Sequence, residues 1–182
     1  MLRELSEEFR KFGKYVVQQS RTNLTKQRHN VTKDLYNSIK YELSEKGNIY
    51  NLAFIMDTYG MFLDKGVRGA NPSLVKNGKQ KGAGSPYSYK NKMPPMKDIK
   101  AWAKQRNIRL RDEKGRFKRG NYTTIAFIIQ RRIFAQGIKP SFFFTKPFEK
   151  AIEIYSPLLI EAFSRDVDEL IRLNVELLKT KK

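Results

Sequence analysis

The sequence predicts an α+β fold in which a small antiparallel β-sheet, a hairpin at about residues 39–57, packs against several helices, with a long basic loop and a long C-terminal helix. Two hydrophobic periods support this class. Apolar residues recur every three or four positions near both ends of the chain, whereas they alternate with polar residues at the start of the hairpin. The length of 182 residues suffices for one core, so a single domain, 1–182, is predicted.

Residues 1–30 are predicted to form an N-terminal helix and a polar linker. Leu5, Phe12 and Val16 share one face of the helix. This stripe is interpreted as packing on the domain core, and docking on another subunit is the alternative. The linker holds the only histidine, His29, which has no Cys or carboxylate pair near it in the sequence. We therefore interpret it as solvated and not as a metal ligand.

The hairpin is predicted from a period of two. Ile39, Tyr41 and Leu43 alternate with polar residues, and Gly47 supplies the turn. The second strand, 49–56, is apolar on both sides. We therefore expect it to be covered on both faces, by the core on one and by a neighbouring subunit on the other.

Two short helices and an irregular segment are predicted between residues 59 and 120. Residues 59–66 form a short helix or tight turn that ends at a glycine. Residues 96–105 form a helix whose single tryptophan, Trp102, is expected to anchor in the core. Residues 109–120 contain two glycines and are typical of an exposed hairpin or loop.

The C-terminal third is predicted to be mainly helical. A strong helix, expected to be central and buried, runs from about residue 121 to Gly137, and residues 141–145 form a short extended aromatic run. Pro157 is expected to kink or restart the next helix. The C-terminal helix, 157–182, has the three-four spacing suited to a core or to a helical partner.

Most of the positive charge lies between residues 64 and 120. This stretch has 17 Lys or Arg and four acids, a net charge of +13 out of +19 for the chain. Within it, residues 67–95 are predicted to form an extended basic arm that wraps an adjacent subunit, and the alternative is a segment that follows a nucleic-acid backbone and stacks Tyr87 and Tyr89 on bases. A polyanion or an acidic protein surface is the expected neighbour. The residues predicted to contact a partner or DNA are Lys65, Arg68, Lys76, Lys79, Lys81, Lys90, Lys92, Arg116, Lys118 and Arg119.

Enzymatic chemistry is not predicted. The chain has no cysteine, which fits a reducing cytosol, and it lacks the phosphate-loop, dinucleotide-binding, zinc-protease and serine-hydrolase motifs. Asp57, Asp64 and Lys65 are too loosely spaced for a metal-dependent nuclease and are interpreted as strand-end and helix-cap residues. No catalytic residue, cofactor or metal is expected. Neither a signal peptide nor a membrane-spanning segment is predicted.

A pattern of spaced motifs covers roughly residues 30–152. It comprises T-x-x-L-x-x-S-I at 32–39, Y-G-x-F-L-D-x-G at 59–66, a helix with a tryptophan, and I-x-x-x-G-I-K-P-S-F-F at 133–143. This order resembles the tail-completion or head–tail joining (neck) proteins of tailed bacteriophages, including minor tail proteins of the Z type. The motif positions are Leu35, Ser38, Tyr59, Phe62, Gly66, Trp102, Gly137 and Phe143.

The resemblance implies a non-enzymatic virion protein at the neck or tail, made in the host cytoplasm. Such a protein forms a homo-oligomeric ring, six- or twelve-fold, which joins portal, adaptor or tail proteins around the DNA channel. Its basic arm would face packaged DNA or an acidic protein surface. The alternative function is a cytosolic nucleic-acid-binding protein without sequence specificity.

Overall fold

The computed structural model describes residues 2–30, 32–47, 49–70, 80–118 and 120–180. Helices and small antiparallel sheets make up this part of the chain, which confirms the predicted α+β class. The helices are α1 (Arg3–Lys26), α2 (Asp34–Ser38), α3 (Thr58–Lys65), α4 (Met96–Gln105), α5 (Tyr122–Gln136) and α6 (Thr145–Thr180). The strands are β1 (Lys40–Lys46), β2 (Ile49–Ile55), β3 (Val67–Arg68), β4 (Leu110–Arg111), β5 (Phe117–Lys118) and β6 (Gly137–Ile138).

The chain divides into two compact units. Unit 1 comprises Met1–Lys26, Tyr36–Met56 and Phe143–Lys182, and unit 2 comprises Gln27–Leu35 and Asp57–Phe142. Unit 1 therefore contains α1, the β1–β2 hairpin and α6, whereas unit 2 contains α3, α4, α5 and the two shorter sheets. The prediction of a single domain stays a prediction.

The core of unit 1 forms where α1 packs on α6 and on the hairpin. The Phe12 ring lies 5.9 Å from that of Phe148 and 5.7 Å from that of Tyr155. Val16 and Ala151 are fully buried beside it. The predicted amphipathic stripe of α1 therefore packs on the core.

The predicted hairpin is confirmed, with β1 and β2 antiparallel and Leu43 opposite Leu52. Leu52 and Phe54 on its inner face pack against the core. The outer face is open, since Ile49 and Ile55 are exposed. The sequence predicted that a neighbouring subunit covers this face, and this stays a prediction.

A buried carboxylate of α6 caps the start of α1. Asp166 is almost completely buried, and its Oδ1 and Oδ2 accept hydrogen bonds from the backbone N–H groups of Glu4 at 3.1 Å and Leu5 at 2.8 Å. These N–H groups lie at a helix N-terminus, where they have no partner within the helix and where negative charge is favoured. Asp166 therefore ties the two longest helices together.

Replacing Asp166 with alanine is expected to lower the free energy of unfolding by about 3 kcal/mol, because charged hydrogen bonds are lost and two backbone donors stay buried. Urea denaturation followed by far-UV circular dichroism measures this change. The matched control is Asp168→Ala, since Asp168 is exposed two positions away, and a change below about 0.5 kcal/mol is expected there. Equal effects of the two substitutions would contradict the capping role.

Two helix–glycine–strand connections meet in unit 2. α3 ends at Gly66, whose φ and ψ are 73° and −175°, and α5 ends at Gly137 with 82° and −171°. Non-glycine residues essentially do not adopt this conformation. The strands that begin at or next to these glycines, β3 and β6, pair antiparallel, with Val67 opposite Ile138. The predicted helix ends at the two glycines are confirmed.

The structure corrects three predictions about helices and exposure. α6 begins at Thr145 and continues through Pro157, so a restart there is wrong, whereas a kink at Pro157 stays a prediction. A proline inside a helix removes one backbone hydrogen bond, and the helix is buried on both sides of Pro157, at Ala151 and Ala162. The run at 141–145 is a turn, in which Phe142 has a φ of 51°. α5 is only partly buried, since Ile125 and Ala126 are covered whereas Phe127 and Ile128 are exposed.

Candidate polyanion-binding surface

The two units differ strongly in charge. Unit 2 has 22 Lys or Arg and six Asp or Glu in its sequence, a net charge of +16, whereas unit 1 has 15 and 12, a net charge of +3. The excess therefore belongs to one unit, and it extends beyond the predicted arm to α4, the β4–β5 hairpin and α5. Unit 2 is therefore the part of the chain suited to contact with a polyanion.

Helix α4 presents one row of lysines to solvent. Ile99 and Ala103 are buried on the side that packs on α5. Lys97, Lys100 and Lys104 are exposed, and they form no salt bridge within the described part of the chain. Because the helix is held by its buried face, it keeps these three lysines together on one side as a cationic row.

A Schellman turn joins α4 to the β4–β5 hairpin. Asn107 has a φ of 50°, and its N–H donates to the carbonyl of Lys104 at 3.0 Å. The next N–H, of Ile108, donates to the carbonyl of Ala103 at 2.9 Å. This pair of bonds ends a helix with a defined change of direction. The hairpin therefore follows α4 in a fixed orientation, and we call the two together the α4–hairpin surface.

Asp112 organises the tip of the hairpin. Its Oδ1 accepts from the backbone N–H of Arg116 at 2.8 Å, and its Oδ2 accepts from the Arg116 guanidinium at 3.0 Å. Gly115 occupies the turn with a φ of 78°. The carboxylate therefore neutralises Arg116 locally, whereas Lys114 and Lys118 are exposed and form no salt bridge among the described residues.

An exposed aromatic ring lies among the cations of this hairpin. Phe117 is 62% exposed, and the guanidinium carbons of Arg111 and Arg109 lie 4.4 and 5.5 Å from its ring centroid. The Arg111 guanidinium also donates to the carbonyl of Gly115 at 2.9 Å. A solvent-accessible ring flanked by guanidinium groups can stack on a base while the charges meet phosphates.

The predicted extended arm, 67–95, is folded against unit 2 in its described parts. Arg68 and Tyr87 pair through their backbones, and the Ser85 hydroxyl donates to the buried carbonyl of Gly66 at 2.7 Å. Tyr87 also packs its ring on Phe62, with centroids 4.8 Å apart. These local bonds outweigh the extended form that the composition suggested. Residues 71–79, which include Lys76 and Lys79, lie outside the described residues, as does Arg119.

The remaining predicted contact residues form two groups. Arg116 and Lys118 share the β4–β5 hairpin. Lys65 and Arg68 belong to α3 and β3, and the folded segment after them carries Lys81, Lys90 and Lys92; all of these side chains are exposed. Sequence reasoning assigned no contact role to Lys97, Lys100, Lys104, Arg109, Arg111 and Phe117. The alternation of Arg109, Leu110 and Arg111 was the available signal, since it places both arginines on one face of a strand.

The family-motif positions have different environments. Phe143 is fully buried in unit 1, and Leu35 and Ser38 are half-buried. In unit 2, Gly66 and Gly137 support the β3–β6 pair, while Tyr59 is exposed. Trp102 is 41% exposed, which corrects its predicted place in the core. Its neighbour Ala103 takes the buried position, because it follows Ile99 by four residues on the same helix face.

Neither a metal-ligand cluster nor a membrane-spanning helix is found among the described residues. They contain no group of three metal-ligating side chains, and none of their helices combines the length and the apolar character needed to cross a bilayer. Asp57 is exposed whereas Asp64 is buried, so these two acids have different environments. Partial burial and the nearby Arg106 guanidinium lower the pKa of His29.

Comparison of the chain with protein-family models, with curated proteins and with solved structures gives no match.

Proposed function

We propose that this chain is a structural, non-enzymatic component of a tailed bacteriophage, which joins neighbouring virion proteins at the head–tail interface as one subunit of a ring around the DNA channel. The observation that carries the proposal is the segregation of charge, with a net +16 in unit 2 and +3 in unit 1. A joining protein needs this division, because one part must contact a polyanion or an acidic surface while another contacts protein.

The motif pattern supports the same proposal. Gly66 and Gly137 come from two separate motif segments, and each begins or precedes a strand of the β3–β6 pair. Spaced motif residues that meet in one structural element are expected when the pattern marks a shared fold. The resemblance to tail-completion and neck proteins therefore rests on positions with a defined structural role.

The α4–hairpin surface would act by charge and shape. Its lysines lie on a helix and a short hairpin that local hydrogen bonds hold in place, so they can face a regular row of phosphates or carboxylates. Contact with phosphate oxygens positions DNA without reading its sequence. Contact by charge and shape suits DNA that slides through a ring, and it equally suits an acidic surface of a portal, adaptor or tail protein.

A specific observation favours a second candidate function, a cytosolic protein that binds nucleic acid without sequence specificity. The exposed Phe117 with Arg109 and Arg111 beside it is suited to stacking on an unpaired base. Unpaired bases are absent from the duplex DNA of a virion channel. Preferential binding of single strands by the monomer would therefore favour this function over the joining role.

Mass spectrometry of purified particles, released by cells that carry this gene, tests the proposal. The chain is expected in the particles at a constant ratio to the other virion proteins, and electron micrographs of the purified protein are expected to show rings. If the chain is missing from the particles but is recovered from the host with nucleic acid, the second candidate is correct. Metal-dependent cleavage of DNA by the purified chain would contradict both functions.

A further inference from the structure

Helix α6 extends beyond the element that covers it. Asp166 accepts hydrogen bonds from the first turn of α1, so the N-terminus of α1 lies beside Asp166. Residues 167–180 of α6 therefore extend beyond the N-terminus of α1. At 1.5 Å per residue this extension is about 21 Å long. Ile171 is 57% exposed there and Leu173 is 50% exposed. A helix segment with this much exposed apolar surface is expected to be covered by a partner.

Some of the exposed apolar residues of α6 lie in a row with the spacing of a coiled coil. Along one face of α6 these residues are separated by three and four positions in turn. This face differs from the face that Ala151, Ala162 and Asp166 present to α1. Phe163 and Leu170 take the d positions of a heptad, and Asn174 takes an a position. We call this row the α6 stripe: Ile160, Phe163, Val167, Leu170, Ile171 and Asn174.

The charges of α6 favour a second copy of this chain as the partner. The stripe contains no charged residue, and α6 as a whole has five bases and seven acids, a net charge of −2. Two such helices therefore meet without a concentration of like charge at the seam. A phosphate-bearing lipid surface, in contrast, needs a basic rim around the apolar face, which a helix of net charge −2 does not supply.

Asn174 fixes how two copies would pair. Its side-chain N–H donates to the carbonyl of Leu170 at 2.7 Å, and its amide oxygen and second N–H are available to a partner. In a parallel pair, equivalent a positions face each other, so Asn174 meets Asn174 and the amides can bond. In an antiparallel pair an amide faces an apolar residue and loses that bond.

We propose that a second copy of this chain covers the α6 stripe, with the two α6 helices parallel and the Asn174 amides in contact. Most stripe side chains are exposed, Ile160 by 68% and Phe163 by 48%, whereas Val167 is half-buried. They offer roughly 500 Å² per copy and roughly 1,000 Å² in total, which reaches the lower limit for a specific interface. This contact is two-fold and closes at a pair of copies, so the proposal goes beyond the proposed joining function, whose ring needs a different, head-to-tail contact between copies.

Analytical ultracentrifugation of the full chain tests the contact. The wild-type chain is expected to associate, and the double variant Ile160→Glu with Leu170→Glu to dissociate, with a Kd raised at least about 100-fold. The matched control is Ile154→Glu with Leu158→Glu, which adds the same charge at two exposed positions off the stripe, both 41% exposed. The control is expected to associate like wild type. Circular dichroism confirms that each variant is folded.

A cysteine variant tests the parallel arrangement without disturbing the core. The natural chain has no cysteine, so Asn174→Cys introduces a single thiol. Under mild oxidation it is expected to give a disulfide-linked dimer of twice the 21.3 kDa chain mass, whereas Asp168→Cys, exposed off the stripe, is expected to stay unlinked.

A wild-type chain that stays monomeric, a stripe variant that associates normally, or a failure of Asn174→Cys to cross-link would overturn the proposal. Presence of the chain in virus particles is measured separately, so it could still support the joining function. Absence from particles together with association through the stripe would overturn only the function.

Discussion

Gly137→Ala is expected to destabilise unit 2 by about 4 kcal/mol or more, because two penalties add at this position. The φ of 82° with a ψ of −171° belongs to a region that alanine essentially does not adopt. A Cβ would also overlap the carbonyl oxygen of Val67 and lie 2.6 Å from the backbone nitrogen of Gly69. Neither neighbour can move freely, since both are backbone atoms beside the β3–β6 pair.

Two other glycines separate these penalties. Gly47 has a φ of 63°, and a methyl group added there would meet no atom within 4 Å, so Gly47→Ala is expected to cost only about 1 kcal/mol for the strained conformation. Gly84 is equally open and has no positive φ, so Gly84→Ala is expected to be neutral. Urea denaturation followed by the fluorescence of Trp102, the single tryptophan, reports on unit 2, which contains Gly84 and Gly137, and far-UV circular dichroism measures the effect of Gly47→Ala in unit 1. A Gly137→Ala variant within about 1 kcal/mol of wild type would contradict the described β3–β6 joint.

Elements determined by neighbouring residues could be predicted from the sequence. α5 begins after Asn121, whose side chain accepts from the N–H of Thr124 at 2.8 Å, and it ends at Gly137. The β1–β2 hairpin follows the alternation that begins at Ile39, and α4 follows its apolar spacing. Capping, turn and periodicity signals all lie within a few residues of the structure that they specify, which is why they can be read locally.

Features that depend on distant contacts could not be predicted. The carboxylate that caps α1 comes from Asp166, more than 160 positions away. The arm prediction failed in its described parts because Ser85 and Tyr87 find backbone partners near β3, which composition does not reveal. The exposure of Trp102 likewise depends on how α4 packs on α5, because this packing decides whether Trp102 or the adjacent Ala103 is buried.

The same limit applies to the candidate site. The sequence located the charge excess correctly within a broad stretch, since counting lysines needs no structure. It did not show that Lys97, Lys100 and Lys104 share an exposed row while Arg116 is neutralised by Asp112. Which cations are available for a partner is decided by burial and by pairing, and both require the folded chain.

Replacing Lys97, Lys100 and Lys104 with glutamine is expected to weaken binding to duplex DNA by about 100-fold or more at low salt. Each lysine that meets a phosphate releases a condensed counterion. Losing three such contacts should therefore make the plot of log affinity against log salt less steep by roughly 2.7. Electrophoretic mobility shift across a salt series measures both quantities. The stability of the fold should change little, because all three side chains are exposed and form no salt bridge within the described residues.

The control variant removes the same charge from unit 1. Lys14, Lys26 and Lys150 are exposed, and changing them to glutamine also lowers the net charge of the chain from +19 to +16. If affinity followed total charge alone, the two triple variants would behave alike. If the α4–hairpin surface holds the polyanion, the control keeps wild-type affinity to within about fivefold and retains the steep salt dependence. Equal losses in both variants would assign DNA binding to the charge of the whole chain and remove the α4 row from the proposed function.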